Sequence, residues 1–169
     1  MKKLLIVIPF FLLACSKAPQ HAVALLESKS GSSVKGEVHF MQQKDGVLVH
    51  ADVTGLSAGL HGFHIHETGD CSAEDASSAG GHFNPQAEQH GAPTAEHHHA
   101  GDFGNVVADE TGAGKYERVL NFISLSGADS IIGKSVVVHA DADDMASQPA
   151  GNSGQRVACG VVAKLKKKT

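Results

Sequence analysis

The sequence predicts an all-β domain: an antiparallel β-sandwich or barrel of about eight short strands carrying two long loops. Three observations predict it. Apolar and polar residues alternate with a period of two in one segment after another. Nineteen Gly and five Pro punctuate 169 residues, which suits short strands joined by turns. No stretch of useful length has helical periodicity, and no internal repeat is present.

The elements follow in chain order. Lys2 and Lys3 precede the apolar run 4–13, and small residues follow at Ala14, Cys15 and Ser16. Such a run is too short to cross a ~30 Å hydrocarbon core as a helix, so residues 1–14 are expected to be a signal peptide. Leu12-Leu13-Ala14-Cys15 resembles the lipobox of bacterial lipoproteins. Residues 15–21 are therefore expected to be a lipid-attachment site at Cys15 and a short linker, and residues 22–169 the folded domain. Strands are predicted at 22–26, 34–41, 47–53, 60–66, 105–108, 115–121, 135–140 and 156–165. Asp45-Gly46 marks a hairpin between the second and third of these, and residues 111–114 mark a turn. Stretches 67–104 and 141–155 do not read as strands. Loops of that length in a compact domain are usually functional.

Composition narrows the class. An apolar content of 41% supports an ordinary core, drawn from Val, Leu, Ile, Ala and seven Phe because Trp is absent and Tyr occurs once. The formal charge is −4, and loss of Lys2 and Lys3 with the leader leaves 12 basic against 18 acidic side chains. Phosphate binding needs a basic footprint, so nucleic acid is not expected as a partner. Three Cys in an exported chain leave one unpaired if two join. With lipid on Cys15, Cys71 and Cys159 remain as a pair for an oxidising compartment.

Twelve His in so small a domain point to metal. In His61-Gly62-Phe63-His64-Ile65-His66, alternate residues share a strand face. With Phe63 and Ile65 turned to the core, His64 and His66 point outward together and can converge on one ion. His61 shares the core-side face and reads as a buried imidazole holding a neighbouring loop by hydrogen bonds. Further on, His82, His90, His99 and Asp102 make three imidazoles and a carboxylate, a complete tetrahedral zinc set. His97 and His98 read as surface residues rather than a secondary capture site, and His21, His39 and His50 carry no assigned role.

Together, His64-x-His66, His82-Phe83-Asn84-Pro85, His90-Gly91, His99-x-x-Asp102, Val137-Val138-His139 and the segment from Gly151 through Arg156 to Cys159-Gly160 resemble the copper/zinc superoxide dismutase family. The likeness spans residues 22–165. It implies an eight-stranded antiparallel Greek-key β-sandwich or barrel. It implies copper held by His64, His66, His82 and His139, and zinc held by His82, His90, His99 and Asp102, with His82 shared. Asp143 matches a carboxylate that orients one ligand from each set, Arg156 the arginine beside copper, and Cys71 and Cys159 the intrachain disulfide. Arg156 and His82 are the implied catalytic residues, and superoxide the implied substrate, converted to dioxygen and hydrogen peroxide. The short gap from His66 to Cys71 resembles the bacterial, periplasmic lipoprotein-type branch, which implies antioxidant defence in the envelope and a membrane tether through the N-terminal lipid. The second loop is short and has no Lys, so steering by a lysine there is not expected. A copper-delivery module on the same fold would lack a copper ligand or Arg156, and neither is missing. Monomer and homodimer both stay open.

Overall fold

The computed structural model describes residues 21–165. The expected signal peptide and Cys15 lie outside the described residues.

All eight expected strands are present, with shifted ends. They are β1 (His21–Ser28), β2 (Lys35–Gln43), β3 (Gly46–Thr54), β4 (Gly59–His66), β5 (Asp102–Ala108), β6 (Gly114–Leu120), β7 (Ser135–His139) and β8 (Arg156–Val161). β1 starts at His21, one residue inside the expected linker. The predicted strand 156–165 is interrupted, and its end forms the short β9 (Ala163–Lys164). The break falls at buried Val162, whose N–H donates to the Lys134 carbonyl and whose own carbonyl accepts from Gly133. Both pieces keep the same register on β1. The β2–β3 hairpin turns on Lys44-Asp45, because Gln43 pairs directly with Gly46. The Asp-Gly signal thus placed the hairpin but set its turn one residue late.

The strand order is β2-β3-β6-β5-β4-β7-β8-β1, and β1 pairs back on β2, so the antiparallel sheet closes into a barrel. β4, β5 and β6 are consecutive neighbours, and β3 lies beside β6 rather than β4, which is the Greek-key order. Closure leaves no long sheet edge to recruit another chain. Phe40, Phe63 and Phe103 fill the interior with Ile65, Val38 and Val49. Burying each such side chain stabilises by about 1.5–3 kcal/mol. Tyr116 packs edge-on against Phe63 at 5.0 Å, and its hydroxyl donates to the Phe103 carbonyl at 3.0 Å. A third long connection, residues 121–134, was not singled out in the sequence. It sends Leu125 and Ile131 into the same core.

The first long loop doubles back on β4. The Phe83 N–H donates to the Ile65 carbonyl, the Ile65 N–H to the Gly101 carbonyl, and the Gly101 N–H to the Phe83 carbonyl. Gly101 permits this because the Ile65 carbonyl oxygen stands where a β-carbon would sit. Metal-ligand candidates from the loop are thereby laid over His64 and His66. One 3₁₀ turn, Ser77–Ala79, sits in this loop, and the described residues hold no α-helix.

Cys71 in that loop is bonded to Cys159 of β8, 88 residues away. A closure of this length stabilises by about 4–5 kcal/mol through the unfolded chain. Reduction of the bond in the folded protein is expected to lower the melting midpoint by roughly 10–18 °C, read by calorimetry with and without reductant.

Candidate metal centre

His64 and His66 project from β4 on the face opposite Phe63 and Ile65, as strand alternation requires. The two long loops cover them, so they are buried at 0% and 1% exposure. His139 ends the neighbouring β7, and His82 approaches from the first loop, bridged to His66 in backbone register. His90, His99 and Asp102 follow in the same loop and at the start of β5.

Donor atoms of His64, His66, His82 and His139 all lie within 4.8 Å of one another, and so do those of His82, His90, His99 and Asp102. His82 belongs to both sets. Its Nδ1 is 2.7 Å from Asp102 Oδ1 and 3.4 Å from His99 Nδ1, and its Nε2 faces the other way.

The tautomers are set by what holds each ring. His64 Nε2 donates to Asp143 Oδ2 at 2.9 Å, His66 Nδ1 to the Gly80 carbonyl at 2.9 Å, and His139 Nδ1 to the Gly154 carbonyl at 3.3 Å. The opposite nitrogens, His64 Nδ1, His66 Nε2, His82 Nε2 and His139 Nε2, are buried without a hydrogen-bond partner. Four partnerless ring nitrogens turned to one point are costly as bare polar atoms, at about 1–3 kcal/mol each. They are well suited to one cation with a preference for imidazole.

The second set includes a carboxylate. Asp102 Oδ2 accepts from the Gly91 and His99 N–H groups at 3.1 and 2.8 Å, which leaves Oδ1 facing the rings. His90 Nδ1 is 3.0 Å from that Oδ1, yet the alignment is too poor for a hydrogen bond. Both atoms aim at a common point rather than at each other. Three nitrogens and one carboxylate oxygen suit zinc.

Asp143 links the sets, with Oδ2 on His64 Nε2 and Oδ1 on His90 Nε2, each at 2.9 Å. Burial would raise its pKa, but the two imidazoles outweigh burial and hold it well below the usual carboxylate range. Asp102 is lowered in the same way by His82 and His90. Burial pushes His64 down to about 4 and His66 and His139 well below the ordinary value, so all three are neutral and ligand-ready at pH 7. His90 differs. Burial lowers it, but the Asp102 and Asp143 carboxylates prevail and raise it to about 9. In the metal-free protein the two carboxylates thus favour a second proton on the His90 ring. Cation uptake at the second set is expected to release that proton and to tighten as pH rises from 7 to 9, as calorimetry in buffers of different ionisation enthalpy would read.

The model of the copper/zinc superoxide dismutase family matches residues 34–162. The chain belongs to the copper/zinc superoxide dismutase family. It is 44% identical over 151 residues to the extracellular superoxide dismutase [Cu-Zn] of Brugia pahangi, covering 84% of this chain and 75% of that protein. It also superimposes on the crystal structure of the clock protein EA4, with a TM-score of 0.82 and 42% identity, over 88% of this chain and 97% of that one. Copper and zinc are the cofactors of this family, and the two donor sets offer chemistry suited to both.

Within that family frame, Arg156 begins β8 opposite His139 of β7. Its Nη1 donates to the Ala76 carbonyl and its Nη2 to the Gly80 carbonyl, each at 2.8 Å. Gly80 also accepts from His66, so the guanidinium stands one carbonyl away from the first donor set. His61 lies on the core-side face. Its Nδ1 is 2.9 Å from the His139 carbonyl and its Nε2 is 2.9 Å from the Ser57 carbonyl. His97 is exposed beside Glu88, and His98 packs on Phe122, both turned from the two sets.

Several supports were invisible in the sequence. The Gln148 side-chain amide accepts from the His90 N–H and donates to the His90 carbonyl, clamping that residue from the second loop. Asn105 holds Asp143 in the same two-handed way. Gly151, with φ 66°, leaves room for the Asp143 carboxylate where a side chain would collide. No local pattern marks Gln148 or Asn105, because their partners lie 58 and 38 positions away.

Proposed function

We propose that this chain dismutates superoxide, with copper at His64, His66, His82 and His139, zinc at His82, His90, His99 and Asp102, and His82 shared between them. The observation that carries this reading is the double orientation of His82, with Nδ1 toward one donor set and Nε2 toward the other. Bound there, copper would supply one-electron transfer that oxidises one superoxide ion to dioxygen and reduces another, which with two protons gives hydrogen peroxide, and zinc would supply fixed positive charge. The protein supplies the rest. Arg156 presents a guanidinium, pinned by the Ala76 and Gly80 carbonyls, that draws and orients a small anion. His82 Nε2, when not engaged by the cation, would hold one of the two protons that the peroxide product takes up, the other coming from water. Asp143 and His61 position ligands, Asp143 through the His64 and His90 rings and His61 through the His139 backbone.

The test is superoxide removal by metal-loaded wild type and Arg156→Ala at matched copper content. The substitution is expected to lower kcat/KM by about 10- to 100-fold and to flatten its salt dependence, since steering of this kind changes on-rates by about 10–10³. Unchanged kcat/KM would remove Arg156 from the mechanism. Asp143→Ala is expected to weaken metal binding by about 10- to 100-fold, read by chelator competition.

Export is supported by the Cys71–Cys159 disulfide and by the extracellular relative. The signal peptide over 1–14, lipid on Cys15 and a bacterial-envelope setting rest on the leader residues alone. Mass spectrometry of the membrane fraction is expected to find a lipidated N-terminal Cys15, and an unmodified one would remove the tether.

A further inference from the structure

The outer face of β1–β2 carries a second meeting of imidazoles, remote in the fold from the loops that build the metal centre. His21 Nε2 and His39 Nδ1 are 3.2 Å apart, with ring centroids 5.4 Å apart. The pair is diagonal across the β1–β2 ladder, where Val23 faces His39 and His21 faces Met41. On the far side of the His39 ring, Nε2 is 3.3 Å from Glu37 Oε1.

We propose that His21 and His39 form an auxiliary site for a divalent transition-metal ion, copper(II) above others, with Glu37 as the residue that positions His39. Two imidazole nitrogens bound to one ion at ~2.0–2.1 Å stand roughly 2.9–3.4 Å apart for right or tetrahedral angles. The observed 3.2 Å, a ring–ring hydrogen bond, lies inside that span, and an ion replaces the shared proton once His21 carries its own on Nδ1. A carboxylate on Nε2 keeps the proton on that nitrogen and turns the lone pair of Nδ1 toward His21. The surroundings favour a cation. Glu37 stands directly opposite Asp52 on β3, two like charges across a ladder, although His50 contacts Asp52 at 2.9 Å and Lys35 shares the strand face with Glu37. Burial and the neighbouring His39 both lower the pKa of His21, so the pair resists double protonation and stays open to a metal at neutral pH. Copper(II) leads because imidazole sites follow the Irving–Williams order.

Other imidazoles on the surface are committed elsewhere. His50 lies opposite His39 on β3, but its two nitrogens face Glu117 and Asp52 at 3.0 and 2.9 Å. His97 pairs with Glu88, and His98 Nδ1 donates to the His99 carbonyl. Among the described residues outside the metal centre, His21 and His39 alone bring two ring nitrogens face to face.

The test uses the full chain loaded with copper and zinc, titrated with further copper(II) against a weak competing chelator. One additional equivalent per chain is expected, with a paramagnetic resonance signal showing two-nitrogen coupling distinct from the first copper. His39→Ala and His21→Ala should each remove it. Glu37→Gln should weaken it by about tenfold or more, and His50→Ala should leave it unchanged. His21 sits at the strand end, so its variant reads the site even if His39→Ala misfolds. No additional equivalent in wild type, or one that survives His21→Ala or is lost with His97→Ala instead, overturns the assignment.

Discussion

Replacing His82 with alanine is expected to lower superoxide removal by on the order of a thousandfold, the scale seen when a site loses one transition-state contact outright. The substitution acts twice because the ring faces two ways. It takes Nε2 from the set completed by His64, His66 and His139, and Nδ1 from the set completed by His90, His99 and Asp102. It also removes the atom assigned to hold the proton. Metal analysis should show zinc falling well below one equivalent, with copper retained weakly by the remaining three imidazoles. His99→Ala reaches only the second set and should cost zinc more than activity. Equal losses in both variants would mean that sharing through His82 has no special weight.

Removal of both metals has the largest expected effect on stability. Five buried ring nitrogens, on His64, His66, His82, His90 and His139, have no hydrogen-bond partner within the protein. On the proposed assignment, cations would satisfy them and bind the folded state alone. Each site held at a free-ion level a thousand times its Kd adds about 4.1 kcal/mol. Two sites add about 8 kcal/mol, which moves the midpoint of a chain this size by roughly 15–30 °C. Calorimetry of chelated and reloaded protein should show that difference and its full recovery. A midpoint that ignores the metals would mean that the loops hold the ligands without them.

Much of this was legible because it is local. Alternation in Val47, Val49, Ala51 and Val53 located β3, and alternation in His64 and His66 put two imidazoles on one face before any fold was known. Spacing within a single loop grouped His82, His90, His99 and Asp102. What stayed hidden depends on chain segments meeting from far apart. Gln148 reaches His90 across 58 residues, and Asn105 reaches Asp143 across 38. Leu125 and Ile131 entered the core from a loop with no periodic pattern. The interruption at Val162 was equally unreadable, since an apolar residue in an apolar strand gives no sign that its backbone will pair with residues 133 and 134.

The most direct test is a crystal structure of the protein loaded with both metals. Residue 82 should place Nε2 on the ion held by His64, His66 and His139, and Nδ1 on the ion held by His90, His99 and Asp102. A ring that contacts one ion only, or swings clear of both, would contradict the shared ligand on which the proposed chemistry stands.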